Sequence, residues 1–117
     1  MEEEIIAKSL LNKIERLEAF EERLSVRFEN VSIVVELRRQ IYYQVIFELH
    51  SNKPVIDQDI VLVCVAYDIE GKILKLNDNK FGVQKDKFLG FDVFEFLFYG
   101  EEILNKTAKL RLYPKLL

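Results

Sequence analysis

The run Ile60–Tyr67, IVLVCVAY, constrains this chain more than any other stretch. A strand sends successive side chains to opposite faces, so an antiparallel sheet with one wet face alternates apolar with polar residues. Here neither face is polar. Ile60, Leu62, Cys64 and Ala66 fall on one side, and Val61, Val63, Val65 and Tyr67 on the other. Such a strand has to be hidden twice, and the second cover must come from elsewhere in the chain or from a partner. The surrounding stretch Tyr42–Gly71 reads as a core hairpin. Its first strand alternates through Tyr43, Val45, Phe47 and Leu49. A break follows at His50-Ser51-Asn52-Lys53-Pro54, where Asn and Pro supply turn chemistry.

A second heavily apolar run, Phe91–Tyr99 (FDVFEFLFY), has only Asp92 and Glu95 as polar members. The remaining strands follow from alternation and punctuation. Leu24, Val26 and Phe28 alternate, parity slips at Glu29-Asn30, and it resumes at Val31, Ile33, Val35 and Leu37. A one-residue slip predicts a bulge or a tight turn. Arg38-Arg39-Gln40 separates that run from the next. Asp68-Ile69-Glu70-Gly71 predicts a hairpin turn, with a short strand through Ile73, Leu74 and Leu76. Phe81–Val83 predicts another short strand, Gly100-Glu101-Glu102 a loop, and Ala108, Leu110 and Leu112 a last strand ended by Pro114. About seven short strands at this spacing predict a mainly β fold, an antiparallel immunoglobulin-like β-sandwich, with a closed barrel as the alternative.

Ahead of the strands, Glu2–Arg23 predicts one amphipathic α-helix, so that residues 1–23 form a helical arm and 24–117 the sandwich. Ile6, Leu10, Ile14, Leu17 and Phe20 recur at spacings of three and four, and three leading glutamates suit the positive end of the helix dipole. Lys13 and Glu21 break the heptad that a coiled coil needs.

Composition narrows the function classes. The 117 residues suffice for one domain, and 50% apolar with 32% charged residues is globular usage. The net charge of −3 arises within Met1–Arg23, where seven glutamates face four lysines and arginines. The rest is formally neutral, which argues against nucleic-acid binding through a basic field. Cys64 is the only cysteine and His50 the only histidine, which excludes an intrachain disulfide and zinc or iron sites built on nitrogen and sulfur. No run reaches transmembrane length, and the acidic start does not read as a signal peptide, so a cytoplasmic protein without a membrane span is expected.

The middle of the chain resembles the small immunoglobulin-like sandwiches of the FxLYD type. The matching pieces are Asn52-Lys53-Pro54-Val55, Tyr67-Asp68 with Gly71-Lys72, and Gly90 ahead of Phe94 and Phe96. The likeness spans roughly residues 50–98 and departs at the motif itself, where Cys64 and Ala66 replace the usual Phe and Leu. It implies a fold and carries no catalytic residues.

No constellation of acid, base and nucleophile is readable around His50 and Ser51, and no cofactor or catalytic residue is expected. In an immunoglobulin-like arrangement Asp57 and Asp59, Asn77-Asp78-Asn79 and Gly100-Glu101-Glu102 would gather at one end, where oxygen ligands could hold a divalent cation. Polar turn chemistry explains the same residues without a metal. The same arrangement would make Ile60–Tyr67 and Phe91–Tyr99 neighbours in one sheet, with a contiguous apolar outer face, and monomers rarely expose a large one. The expected contact residues are Val63, Val65, Tyr67, Phe94, Phe96 and Phe98 on that face, with Ile6, Leu10, Leu17 and Phe20 on the helix that covers it or exchanges between subunits. The expectation is a non-catalytic protein-interaction or self-assembly module, a homodimer being one form. The alternative is a module binding a small apolar ligand or a divalent cation.

Overall fold

The computed structural model describes residues 2–117, so Met1 of the expected helical arm lies outside the described residues. Ten elements follow in order: α1 (Glu2–Leu11), β1 (Ile14–Arg16), α2 (Glu18–Arg23), β2 (Val26–Glu36), β3 (Tyr42–Ser51), β4 (Ile60–Tyr67), β5 (Ile73–Asp78), β6 (Phe91–Tyr99), α3 (Glu101–Lys106) and β7 (Lys109–Leu116). The seven strands form two sheets, ordered β1-β7-β4-β5 and β2-β3-β6. All pairings are antiparallel except the short parallel contact of β1 with β7.

The core lies between the sheets. Val26, Phe28, Ile33 and Val35 of β2, Tyr43, Val45, Phe47 and Leu49 of β3, and Phe96 and Phe98 of β6 meet Ile60, Leu62, Cys64 and Ala66 of β4 and Leu110 and Leu112 of β7. Period-two alternation delivers each of these side chains to one face. The slip at Glu29-Asn30 is a β-bulge: the β2–β3 register shifts between Glu29 and Ser32, and Asn30 adopts a φ of 51°. The extra residue moves the buried set from Val26 and Phe28 to Ile33 and Val35, keeping both halves of β2 on the core.

The single helix expected over Glu2–Arg23 is not formed. The free edge of β7 takes residues 14–16 as a parallel strand, with Leu110 N–H donating to Lys13 O at 3.0 Å and Leu17 N–H to Leu112 O at 3.3 Å. An unpaired sheet edge offers more backbone hydrogen bonds than a short exposed helical segment keeps, and pairing removes the edge. The apolar stripe is thereby divided. Ile6 and Leu10 of α1 and Ile14 of β1 pack against the inter-sheet core, and Phe20 of α2 meets Tyr113 of β7 in an edge-to-face contact at 5.7 Å.

Four further expectations are corrected. Tyr42–Gly71 is not a hairpin, because β3 and β4 belong to different sheets and the connection 52–59 arches between them. Glu101–Lys106 is a helix rather than a loop, and Pro114 stands within β7, paired with Leu62. The segment Phe81–Val83 makes only an isolated bridge, Val83 with Ile60.

Candidate functional site

The separation of β4 from β6 rearranges the expected contact surface. Their outer faces are not contiguous, since β4 is central in one sheet and β6 is an edge of the other. Phe94, Phe96 and Phe98 point inward: Phe98 stacks on Tyr43 at 4.8 Å, and Phe94 and Phe96 flank Phe47 at 6.0 and 5.8 Å. Val63 and Val65 do lie on an outer face, yet they are 1% and 2% exposed. Tyr67 and Tyr113 pack over Val61, Val63 and Val65 as a small second cluster, with the Arg111 guanidinium 5.1 Å above the Tyr67 ring. Long amphipathic side chains thus roof the valines that forced the double-sided reading of Ile60–Tyr67. Leu10 is buried, Ile6 and Leu17 are half-buried, and Phe20 is exposed at the margin of that roof.

The roof is fastened to the N-terminal segment. Glu15 of β1 accepts from Arg111 Nε at 2.8 Å and pairs with Lys109 Nζ at 3.4 Å, and these cations hold its carboxyl below the ordinary range. Nearby, the Glu21 carboxylate is 3% exposed. It receives the Arg16 guanidinium through Nε at 3.2 Å and Nη2 at 2.5 Å, and the Phe28 N–H at 2.9 Å. One buried side chain therefore ties α2 to β1 and β2, and the bond raises the Arg16 guanidinium above its ordinary value.

The surface left open is the outer face of β2-β3-β6. Phe91 and Val93 are each 51% exposed and Tyr99 54%, with Tyr42, Ile46 and Leu97 half-buried beside them and Val34 exposed on β2. Tyr42 and Tyr99 lie opposite one another across the β3–β6 pairing, their rings 5.6 Å apart. The polar groups of this face are bonded among themselves. Gln44 Nε2 donates to Glu95 Oε2. His50 Nε2 lies 2.9 Å from Glu48 Oε1, and its ring stands edge-on to Phe91 at 4.9 Å. Bonds to His50 and Asn30 hold the Glu48 carboxyl below its usual value. β6 has a strand partner on one side only, and on its other side Asn77 Nδ2 donates to Leu97 O at 2.8 Å. The sequence reading missed this face because it put Phe94, Phe96 and Phe98 on the outer side of Phe91–Tyr99, whereas Phe96 and Phe98 are buried and Phe91, Val93 and Tyr99 are exposed.

The proposed convergence of oxygen ligands is not formed. Asn79 and Asp59 lie at one end of the sandwich, where Asn79 Oδ1 accepts from Leu62 N–H and Asp59 Oδ1 from Lys85 N–H. Gly100 sits at the opposite end, its N–H donating to Ile41 O. Among the described residues no group of three or more His, Cys, Asp or Glu side chains is placed to hold a metal ion. The Cys64 thiol is buried, which pushes its pKa up to about 12. A cleft of about 310 Å³ lies between α2 and the end of β7, lined by Phe20, Leu24, Pro114 and Leu116 with Arg23 and Lys115 at hand. No helix among the described residues is long and apolar enough to cross a membrane. No protein-family model matches the chain, and no curated protein matches it.

Proposed function

We propose that this chain is a non-catalytic interaction module of the cytoplasm whose contact surface is the outer face of β2-β3-β6, and that its occupant is a second copy of the chain. The observation that supports this reading is the asymmetry of the two outer faces. The valines of β4 are covered by their own chain, whereas Phe91, Val93 and Tyr99 of β6 are half exposed. Two copies of one open face meet around a two-fold axis with every contact made twice. The face spans roughly 30 Å by 14 Å, from the nine residues of β6, its shortest strand, and three strands side by side. That lies at the small end of specific interfaces, so association in the micromolar range or weaker is expected.

Double electron–electron resonance tests the reading directly. A spin label on a cysteine replacing Lys72, in the turn between β4 and β5 and remote from the face, leaves the buried Cys64 unlabelled. A defined inter-label distance that vanishes on adding Val93→Lys supports the dimer. A featureless decay in both labelled chains contradicts it.

A further inference from the structure

We propose that His50 makes self-association through the outer face of β2-β3-β6 sensitive to pH, the two copies closing more tightly as each imidazole takes up a proton, a property that rests on the face contact proposed above. His50 is the only histidine of the chain. In register, Arg27, His50 and Phe91 form one row across the three strands, and Glu29, Glu48 and Val93 form the next. The His50 ring stands edge-on to Phe91 at 4.9 Å. Imidazole and carboxylates thus lie beside Phe91 and Val93, two of the half-exposed side chains that a second copy covers.

The imidazole is set between two carboxylates. Its Nε2 lies 2.9 Å from Glu48 Oε1 and 3.5 Å from Glu29 Oε2. The side chains of His50, Glu48 and Glu29 keep 24%, 27% and 44% exposure, so water reaches all three in a single copy and a facing copy removes it. Arg27 lies opposite His50 in the register, but its guanidinium turns to Glu29 Oε2 at 2.8 Å and Asn52 Oδ1 at 2.6 Å. The neighbouring charges are engaged or turned away. Asp92 of β6 alternates to the other side of the strand from Phe91, and its Oδ1 accepts from Val93 N–H at 2.8 Å. Lys53 pairs with Asp57 at 3.0 Å. The connection 79–90 adjoins through uncharged Gly90, whose O accepts from Ser51 N–H at 3.0 Å.

With a neutral imidazole the cluster carries +1 from Arg27 and −2 from Glu29 and Glu48, a net −1, and an imidazolium brings it to zero. Burying an unmatched charge costs far more than burying a matched set. Closing the face therefore favours the protonated ring, and by linkage protons favour the closed face. Imidazole is the side chain that ordinarily changes charge between about pH 5 and pH 8. Glu48 stays ionised through that range, because its hydrogen bond to His50, and a second to Asn30, hold its carboxyl below the usual value. Self-association is thus strongest at the acid end of the range and weakest where the ring is neutral.

The test is sedimentation velocity of the full chain at about pH 6 and about pH 8, at one salt concentration. The dimer Kd of the parent chain should be at least about tenfold lower at the acid value, for which an average uptake of about a quarter of a proton per protomer suffices. His50→Gln keeps an N–H donor for Glu48 but cannot take up a proton. Its Kd should be the same at both pH values and close to that of the parent chain at the alkaline one. Melting temperatures at both pH values show that the variant folds. A parent dimer whose Kd does not change with pH, or a pH dependence that survives in His50→Gln, overturns the switch; the face contact still stands if Val93→Lys abolishes that dimer. A parent chain that is monomeric at both pH values, or a dimer indifferent to Val93→Lys, overturns the switch and the face contact together.

Discussion

Glu21 shows most clearly how much one side chain can hold in this molecule. Its carboxylate satisfies a guanidinium from β1 and a backbone N–H from β2, in a place almost closed to water. Replacing it by leucine strands both donors. Glu21→Leu should therefore cost about 2–4 kcal/mol, toward the lower end because Arg16 keeps partial access to water. Urea unfolding measures this, and a loss under about 0.5 kcal/mol would show the clamp to be dispensable. Glu15 is the contrasting case, an exposed carboxylate whose pKa is lowered first by its hydrogen bond to Arg111. A carboxyl depressed on folding stabilises above its unfolded pKa and ceases to as pH falls through the folded value. Melting temperature followed from neutral to acid pH should thus fall less steeply in Glu15→Gln than in the parent chain. Equal slopes would mean that the pairing does nothing for stability. In the sequence Glu21 registered only as a break in a heptad. Its partner is a backbone N–H seven residues away, and no pattern of side chains announces such a bond.

At the level of elements, β4 and β6 lie where their apolar runs begin and end, and the bulge in β2 follows its slip in parity. Alternation reports burial directly, so these features were readable. Pairing was readable only where a turn announced it: the hairpin turn at Asp68–Gly71 names β5 as one neighbour of Ile60–Tyr67. Nothing local names β7 as the other, and the expected adjacency with Phe91–Tyr99 joined two strands that lie in different sheets. The break of the N-terminal helix was equally hidden, because the edge of β7 that recruits Ile14–Arg16 lies almost a hundred residues away. This arrangement makes the N-terminal segment part of the fold. A chain beginning at Leu24 uncovers the β7 edge and removes Leu10 from the core. It should melt well below the full chain, bind a hydrophobic dye and aggregate. A truncated chain as stable and soluble as its parent would show that α1 and β1 are accessory.

On the scale of the whole molecule, the two outer faces of the sandwich have different fates. One is closed by tyrosines, an arginine and the N-terminal segment, and the other keeps its aromatic and aliphatic side chains in solvent. The open face was legible only as an excess of apolar residues that something must cover. Which residues face outward depends on the core side of β6, which parity alone leaves undecided when both sides are apolar. Self-association through that face is the central claim, and sedimentation velocity over a micromolar-to-millimolar series tests it most directly. The parent chain should pass from monomer to dimer with rising concentration. Val93→Lys, which plants a charge in the middle of the face, should remain monomeric with an unchanged melting temperature. A parent chain that stays monomeric throughout, or a dimer that Val93→Lys leaves intact, would contradict it.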